Sequence, residues 1–237
     1  MVMPRLYVIV DAEVLKKRGV RLRKFAVGLR AAGVSLVQYR DKSGSPQEVL
    51  AGAAVLREVF GETGCVLIMN DRADLAVLAG FDGVHVGQGD LSPEDAKAVL
   101  GGSIPIHRME QERDEWGTEI RGGMVGVSTH TDEQVVAADP MSQNRDMGHP
   151  GAVDYIAIGP VFSTGTKVDA EAVVGLEGVR RARALTTKPL VAIGGITRAN
   201  ARSVVDAGAD SVAVISGLLV EGESVEKVAR DFLRILN

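Results

Sequence analysis

The sequence predicts an α/β protein, a single (β/α)8 barrel, and three observations carry that expectation. Eight short runs rich in Val and Ile recur along the 237 residues, each too short for a typical helix and mostly apolar on both faces, as buried parallel strands are. Stretches of helical periodicity lie between most of the runs, which implies right-handed crossovers and a parallel sheet. Seven of the eight runs end in a polar residue or a glycine, the punctuation expected where strands feed functional loops. A doubly wound sheet would share the first two features, but eight strands point to closure. A barrel of this kind takes roughly 250 residues, so 1–237 reads as one domain.

The elements follow in order. Leu6–Asp11 is the first run. Leu22, Phe25, Ala26, Leu29 and Arg30 then repeat at helical spacing and lead into Ala31-Ala32-Gly33, a helix reaching its C-cap. The second to sixth runs are Val34–Arg40, Val66–Asp71, Gly83–Gly87, Met124–His130 and Tyr155–Val161. The seventh is Pro189–Gly195, after which Ala201, Val204, Val205 and Ala207-Gly208 repeat the helix design before Ser211–Gly217. Gly80-Phe81-Asp82 and Gly208-Ala209-Asp210, before the fourth and eighth runs, resemble each other as short turns from helix to strand. The segments 101–123, charged with Trp116 as its large apolar residue, and 139–153, turn-rich and polar, break the rhythm; both read as loop insertions.

Composition narrows the function. With 46% hydrophobic and 24% charged residues the chain is no disordered tail, and 28 glycines suggest tight turns and close backbone approaches. A net charge of −4, from 27 basic and 31 acidic residues, speaks against a general nucleic-acid binder but leaves anionic small molecules open. The single cysteine, Cys65, excludes an internal disulfide and a cysteine-based zinc site. The start lacks the pattern of a signal peptide, and no apolar run approaches the roughly 20 residues that cross a bilayer. The expectation is a soluble, cytoplasmic protein with no membrane partner.

Polar residues concentrate where the runs end: Gln38-Tyr39-Arg40-Asp41-Lys42, Asn70-Asp71-Arg72, Gln88-Gly89-Asp90, Ser128-Thr129-His130, Ser163-Thr164-Gly165-Thr166-Lys167, Gly194-Gly195 and Ile215-Ser216-Gly217. Singly, such an Asp reads as a helix N-cap and a Gly pair as a turn. Together, at one rim, they point to an active site. Gly194-Gly195 and Ser216-Gly217, after the seventh and eighth strands, suit a phosphate held by backbone N–H groups. Arg40 and Lys42 beside Asp71 and Asp90 suit a magnesium–diphosphate site, with a general acid/base pair as the alternative use of the two carboxylates. Two anion sites imply two phosphorylated small-molecule substrates.

With these residues in place, the chain resembles the thiamine-phosphate synthase (thiamine-phosphate pyrophosphorylase) family from Leu6 to about Leu218. Seven pieces carry the resemblance: Val37–Lys42, Asn70–Leu75, Gly83–Leu91, Gly126–His130, Gly159–Lys167, Val191–Ile196 and Val212–Ser216. It implies a TIM barrel that joins 4-amino-2-methyl-5-hydroxymethylpyrimidine diphosphate to 4-methyl-5-(2-hydroxyethyl)thiazole phosphate, releasing pyrophosphate through a stabilised pyrimidine carbocation. By the same resemblance Gln38, Arg40, Lys42, Asn70, Ser128 and Lys167, with Tyr39 and Asp41 of the same run, contact the pyrimidine diphosphate. Arg40, Lys42, Ser128 and Lys167 are the catalytic candidates, and Asp71 and Asp90 the Mg2+ ligands. Thr164, Gly165, Thr166, Gly195, Ile215 and Ser216 hold the thiazole phosphate. Segments 101–123 and 139–153 depart from the family pattern and leave room for a homo-oligomer contact; Val168-Asp169-Ala170-Glu171 is a milder departure. Competing expectations are a thiazole tautomerase-like relative, a non-catalytic phosphate-binding module, and an isomerase with one substrate and an acid/base pair.

Overall fold

Eight parallel strands close on themselves in chain order: β1 (Leu6–Asp11), β2 (Leu36–Arg40), β3 (Val66–Asn70), β4 (Gly83–Val86), β5 (Met124–Thr129), β6 (Tyr155–Ile158), β7 (Leu190–Ile193) and β8 (Ser211–Val214). Closure is made by β8 pairing with β1, Leu6 opposite Val212 and Val8 opposite Val214. The computed structural model describes residues 3–101, 123–139, 151–164 and 172–237. Around the barrel lie α1 (Ala12–Lys17), α2 (Leu22–Ala32), α3 (Pro46–Phe60), α4 (Ala73–Ala79), α5 (Pro93–Gly101), α6 (Asp132–Ala138), α7 (Gly175–Leu185), α8 (Ala201–Asp206) and α9 (Val225–Leu236). The expected barrel is therefore the observed one. Most of segments 101–123 and 139–153 lies outside the described residues.

Alternation along the strands builds two cores. Val8, Val37, Leu67, Met69 and Val84 point outward and pack with Phe25, Leu29, Leu56 and Phe60 of the helices. Tyr7, Ile9, Leu36, Ile68, Tyr155, Ala157, Val191 and Ala213 fill the barrel interior. Burying each large side chain in either layer contributes roughly 1.5–3 kcal/mol.

The helices start and stop where their termini find partners. Ser45 and Glu48 form a capping box at α3, with Pro46 as the first helical residue, and Thr131 and Gln134 do the same at α6. Gly33 ends α2 at φ +85°, which lets Val34 N–H bond back to the Leu29 carbonyl at 3.2 Å. That bond withdraws Val34 from the strand, so β2 begins two residues later than the apolar run suggests.

The repeated turns have a common purpose. Asp82, Asp154 and Asp210 immediately precede β4, β6 and β8. Their carboxylates accept from the backbone N–H of Leu67, Val125 and Leu190 at 2.8, 2.7 and 2.8 Å, each on the preceding strand. Lys97 and Arg183 neutralise Asp154 and Asp210, each at 2.7 Å. These clamps tie neighbouring strands at their N-terminal ends, leaving the opposite rim for chemistry.

Candidate active site

At the end of β1, Asp11 is almost wholly buried and accepts from Val14 N–H of α1 at 2.9 Å. Its other oxygen pairs with the guanidinium of Arg40, the residue opposite it in the β1–β2 register. A buried carboxylate needs such a partner. The pair holds Arg40 at the rim through one nitrogen and leaves the rest of its donor fork for a ligand. Sequence reading missed Asp11, whose only signal was its position at a strand end.

Next around the rim, Lys42 Nζ lies 3.0 Å from Asp71. Asp71 has φ +60°, a left-handed conformation that aspartate tolerates better than most residues, and its N–H is held by the His85 carbonyl at 2.8 Å. This backbone turn brings its carboxyl against that of Asp90, which follows β4. Burial and the neighbouring Asp90 push the Asp71 carboxyl above the usual aspartate range, against the opposing pull of Lys42. Asp90 is itself oriented by Gly87 N–H at 2.8 Å. Two neighbouring carboxyls, one reluctant to ionise, could hold a hard divalent cation by oxygen. No cluster of three or more metal-ligating side chains exists among the described residues, so further ligands would come from an anionic substrate and water. Asn70, which ends β3, keeps its side-chain amide without an intramolecular partner among the described residues.

Below this rim a line of buried polar groups crosses the barrel. Gln38 Nε2 donates to the Tyr7 hydroxyl at 2.9 Å, and Tyr7 and Tyr155 share a hydrogen bond of 2.8 Å. Tyr155 meets His85 Nδ1 at 3.0 Å, and His85 Nε2 meets Ser128 Oγ at 2.9 Å. Gln88 donates to the Ser128 carbonyl at 2.5 Å. Gln38 and Ser128 were expected at the site. Tyr7, Tyr155 and His85 were not, because each sits in an apolar strand pattern that signals only burial.

The residues expected to form the second anion site lie at the ends of β6 to β8. Gly194 and Gly195 take φ +104° and +64°. A Cβ at Gly194 would lie 2.6 Å from Pro160, and one at Gly195 would lie 2.6 Å from the Ser163 carbonyl. Only glycine lets the loop after β6 lie this close, laced by Val161 N–H to Ile193 O (2.8 Å) and Phe162 N–H to Gly194 O (3.0 Å). Ile193 pairs with Ala213, so Gly195 and Ile215 stand at matching levels two residues further on. Ser216 then opens a short 3-10 turn, Ser216–Leu218. Thr164 is at the edge of this cup, half-buried. Gly165, Thr166 and Lys167 lie outside the described residues.

Two expected contacts are not brought to the cup. Tyr39 points outward against α3, where a Cβ at Gly52 would meet its hydroxyl at 2.1 Å; burial and the adjacent Asp41 push its pKa up to about 12. The period of two in a strand decides this, since Gln38 and Arg40 already face inward. The Asp41 carboxylate is occupied by Ser43 and Gly44 N–H groups at 3.2 and 2.8 Å, closing the turn into α3.

The thiamine monophosphate synthase family model matches residues 6–108 and 109–218, a span that contains every residue placed at the rim. The chain belongs to that family. It is 47% identical to a thiamine-phosphate synthase of Koribacter versatilis, over 99% of this chain and 97% of that protein. It is 35% identical to one of Chloroflexus aurantiacus, over 98% and 93%. Among solved structures, thiamine phosphate pyrophosphorylase from Pyrococcus furiosus aligns with a TM-score of 0.74 at 27% identity, covering 98% of this chain and 95% of that one. Family membership makes the chain a transferase.

Proposed function

We propose that this enzyme couples 4-amino-2-methyl-5-hydroxymethylpyrimidine diphosphate with 4-methyl-5-(2-hydroxyethyl)thiazole phosphate to give thiamine phosphate and pyrophosphate. The observation that carries the reading is the split rim: Arg40, Lys42, Asp71 and Asp90 on one side, and the glycine turn at Gly194-Gly195 with Ser216 on the other. One side suits a diphosphate with its cation, and the other a monophosphate.

Arg40, Lys42 and Ser128 bind the diphosphate, joined by Lys167 on the strength of the family resemblance, while Gln38 and Asn70 address the pyrimidine. The C–O bond to the diphosphate breaks, and the leaving oxygen takes the electron pair. The methylene carbon becomes a cation stabilised by the aminopyrimidine. The thiazole nitrogen then forms the new C–N bond with its lone pair, so no side chain need act as nucleophile. Arg40 and Lys42 supply positive charge where negative charge develops. Asp71 and Asp90 fit Mg2+, which when bound neutralises diphosphate charge. Gly195, Ile215 and Ser216, with Thr164, Gly165 and Thr166, hold the thiazole phosphate in register with the cation.

No helix among the described residues is long and apolar enough to cross a membrane, and we place the reaction in the cytoplasm. A homo-oligomer contact through segments 101–123 or 139–153 belongs to the same proposal and is checked by sedimentation of the purified chain. The enzymatic test is pyrophosphate release with each substrate alone and with both. Release only with both, abolished by EDTA and restored by Mg2+, is the expected result. Turnover of the thiazole phosphate alone would instead indicate a tautomerase-like activity, and binding without turnover a phosphate-binding module.

A further inference from the structure

The buried line from Gln38 to Ser128 joins residues of β2, β1, β6, β4 and β5, so it spans the barrel from one wall to the opposite one. Tyr7 and Tyr155 are fully enclosed, and burial drives both phenols well above their ordinary pKa; each therefore carries one proton. Their rings meet edge-on at 5.9 Å, and His85 stacks on Tyr155 at 5.5 Å. Gly126 makes room for this arrangement, since a Cβ there would lie 2.0 Å from the Tyr155 ring.

Proton bookkeeping along the line gives it a direction. The Gln38 amide nitrogen can only donate, so the Tyr7 oxygen accepts from it. In the order that leaves no hydroxyl proton of the line unpaired, the Tyr7 proton goes to Tyr155 and the Tyr155 proton to His85 Nδ1. A neutral imidazole that accepts at Nδ1 carries its proton on Nε2, and that N–H donates to Ser128 Oγ. The Ser128 hydroxyl proton is thereby turned away from His85 and is left to donate upward, into the cup.

We propose that Tyr7, Tyr155 and His85 are positioning residues, a proton-ordered chain that ties the Gln38 amide to the Ser128 hydroxyl across the barrel and presents Ser128 as a hydrogen-bond donor to the diphosphate. The use of Ser128 as a diphosphate donor rests on the proposed function; the ordered chain itself does not. A rearranged Gln38 amide would propagate through both phenols to the His85 tautomer, so the pyrimidine side and the diphosphate side of the cup are coupled without touching.

Two measurements separate the chain from the reaction. The first is the 15N NMR spectrum of histidine-labelled protein without substrates. The expected signal is a neutral His85 protonated on Nε2 in the wild type, and an Nδ1–H tautomer there would overturn the ordering. Tyr155→Phe, which removes the Nδ1 donor, is expected to move the His85 Nδ1 resonance away from its hydrogen-bonded position; an unchanged Nδ1 shift would also overturn it. The second is pyrophosphate release in a double-mutant cycle. Tyr155→Phe is expected to lower kcat roughly fivefold, the size of one lost neutral hydrogen bond, and to have less than about a twofold effect in a Ser128→Ala background. Equal losses in both backgrounds would show that Tyr155 does not act through Ser128. Unfolding midpoints of each variant identify any loss of folded protein, and Tyr7→Phe gives a second route into the chain should Tyr155→Phe not fold. Wild-type protein that releases no pyrophosphate but shows the expected tautomer would sink the proposed reaction and leave the chain standing.

Discussion

Replacing Asp71 separates charge from backbone strain at the proposed cation site. Asp71→Asn keeps the shape and the tolerance for φ +60° but removes the carboxylate that faces Asp90 and Lys42. Losing a charged oxygen ligand of a cation that stabilises a departing diphosphate costs several kcal/mol of transition-state energy. About 3 kcal/mol is more than a hundredfold in kcat/KM for pyrophosphate release. Stability is expected to move the other way. In metal-free buffer the raised pKa of Asp71 means that the folded protein holds this proton more tightly than the unfolded chain. Its contribution to stability is complete below the usual aspartate range and is lost as pH rises through the raised value. Asp71→Asn abolishes that loss, so its stability relative to wild type should improve from acid to neutral pH. The forfeited Lys42 pair, half exposed on the lysine side, offsets this by only about 0–1 kcal/mol. Asp71→Ala should lose activity equally and be about 1 kcal/mol less stable than Asp71→Asn, because alanine resists the left-handed conformation. The assays are steady-state kinetics at saturating Mg2+ and urea unfolding across pH. Asp71→Asn activity within threefold of wild type would refute the cation assignment, and a stability difference that falls with rising pH would refute the strained-carboxyl account.

Gly195→Ala should raise KM for the thiazole phosphate far more than for the pyrimidine diphosphate, since its methyl would press on the Ser163 carbonyl and the Phe162 side chain; the reverse pattern would invert the site map. Asp210→Ala leaves Leu190 N–H without its acceptor and should cost about 1–3 kcal/mol, lowering Tm by several degrees with kcat per folded molecule unchanged. Gly126→Ala should lower both Tm and kcat, because Tyr155 must leave its place in the buried line.

Local pattern was enough for much of this protein. The eight strands were legible as short β-branched runs because a sheet buried on both faces demands them, and the barrel rim was legible because polar residues concentrate where the strands end. Arg40, Lys42, Asn70, Asp71 and Asp90 could be read at that rim, and the glycines at 194 and 195 as a close backbone approach. The resemblance of Gly80-Phe81-Asp82 to Gly208-Ala209-Asp210 was visible too, though not that each Asp clamps the strand before it.

What tertiary structure alone decided is partner choice. Tyr39 and Asp41 stand in the same run as Gln38, Arg40 and Lys42, yet strand alternation turns Tyr39 out against Gly52, and the following turn claims Asp41. Asp11, Tyr7, His85 and Tyr155 read as strand residues, and their roles arise only when closure brings together groups 29, 31, 43, 70 and 148 residues apart. Periodicity records whether a side chain is buried, because burial repeats with the backbone. It does not record which polar group a buried donor meets, because that depends on where distant strands stand around the barrel.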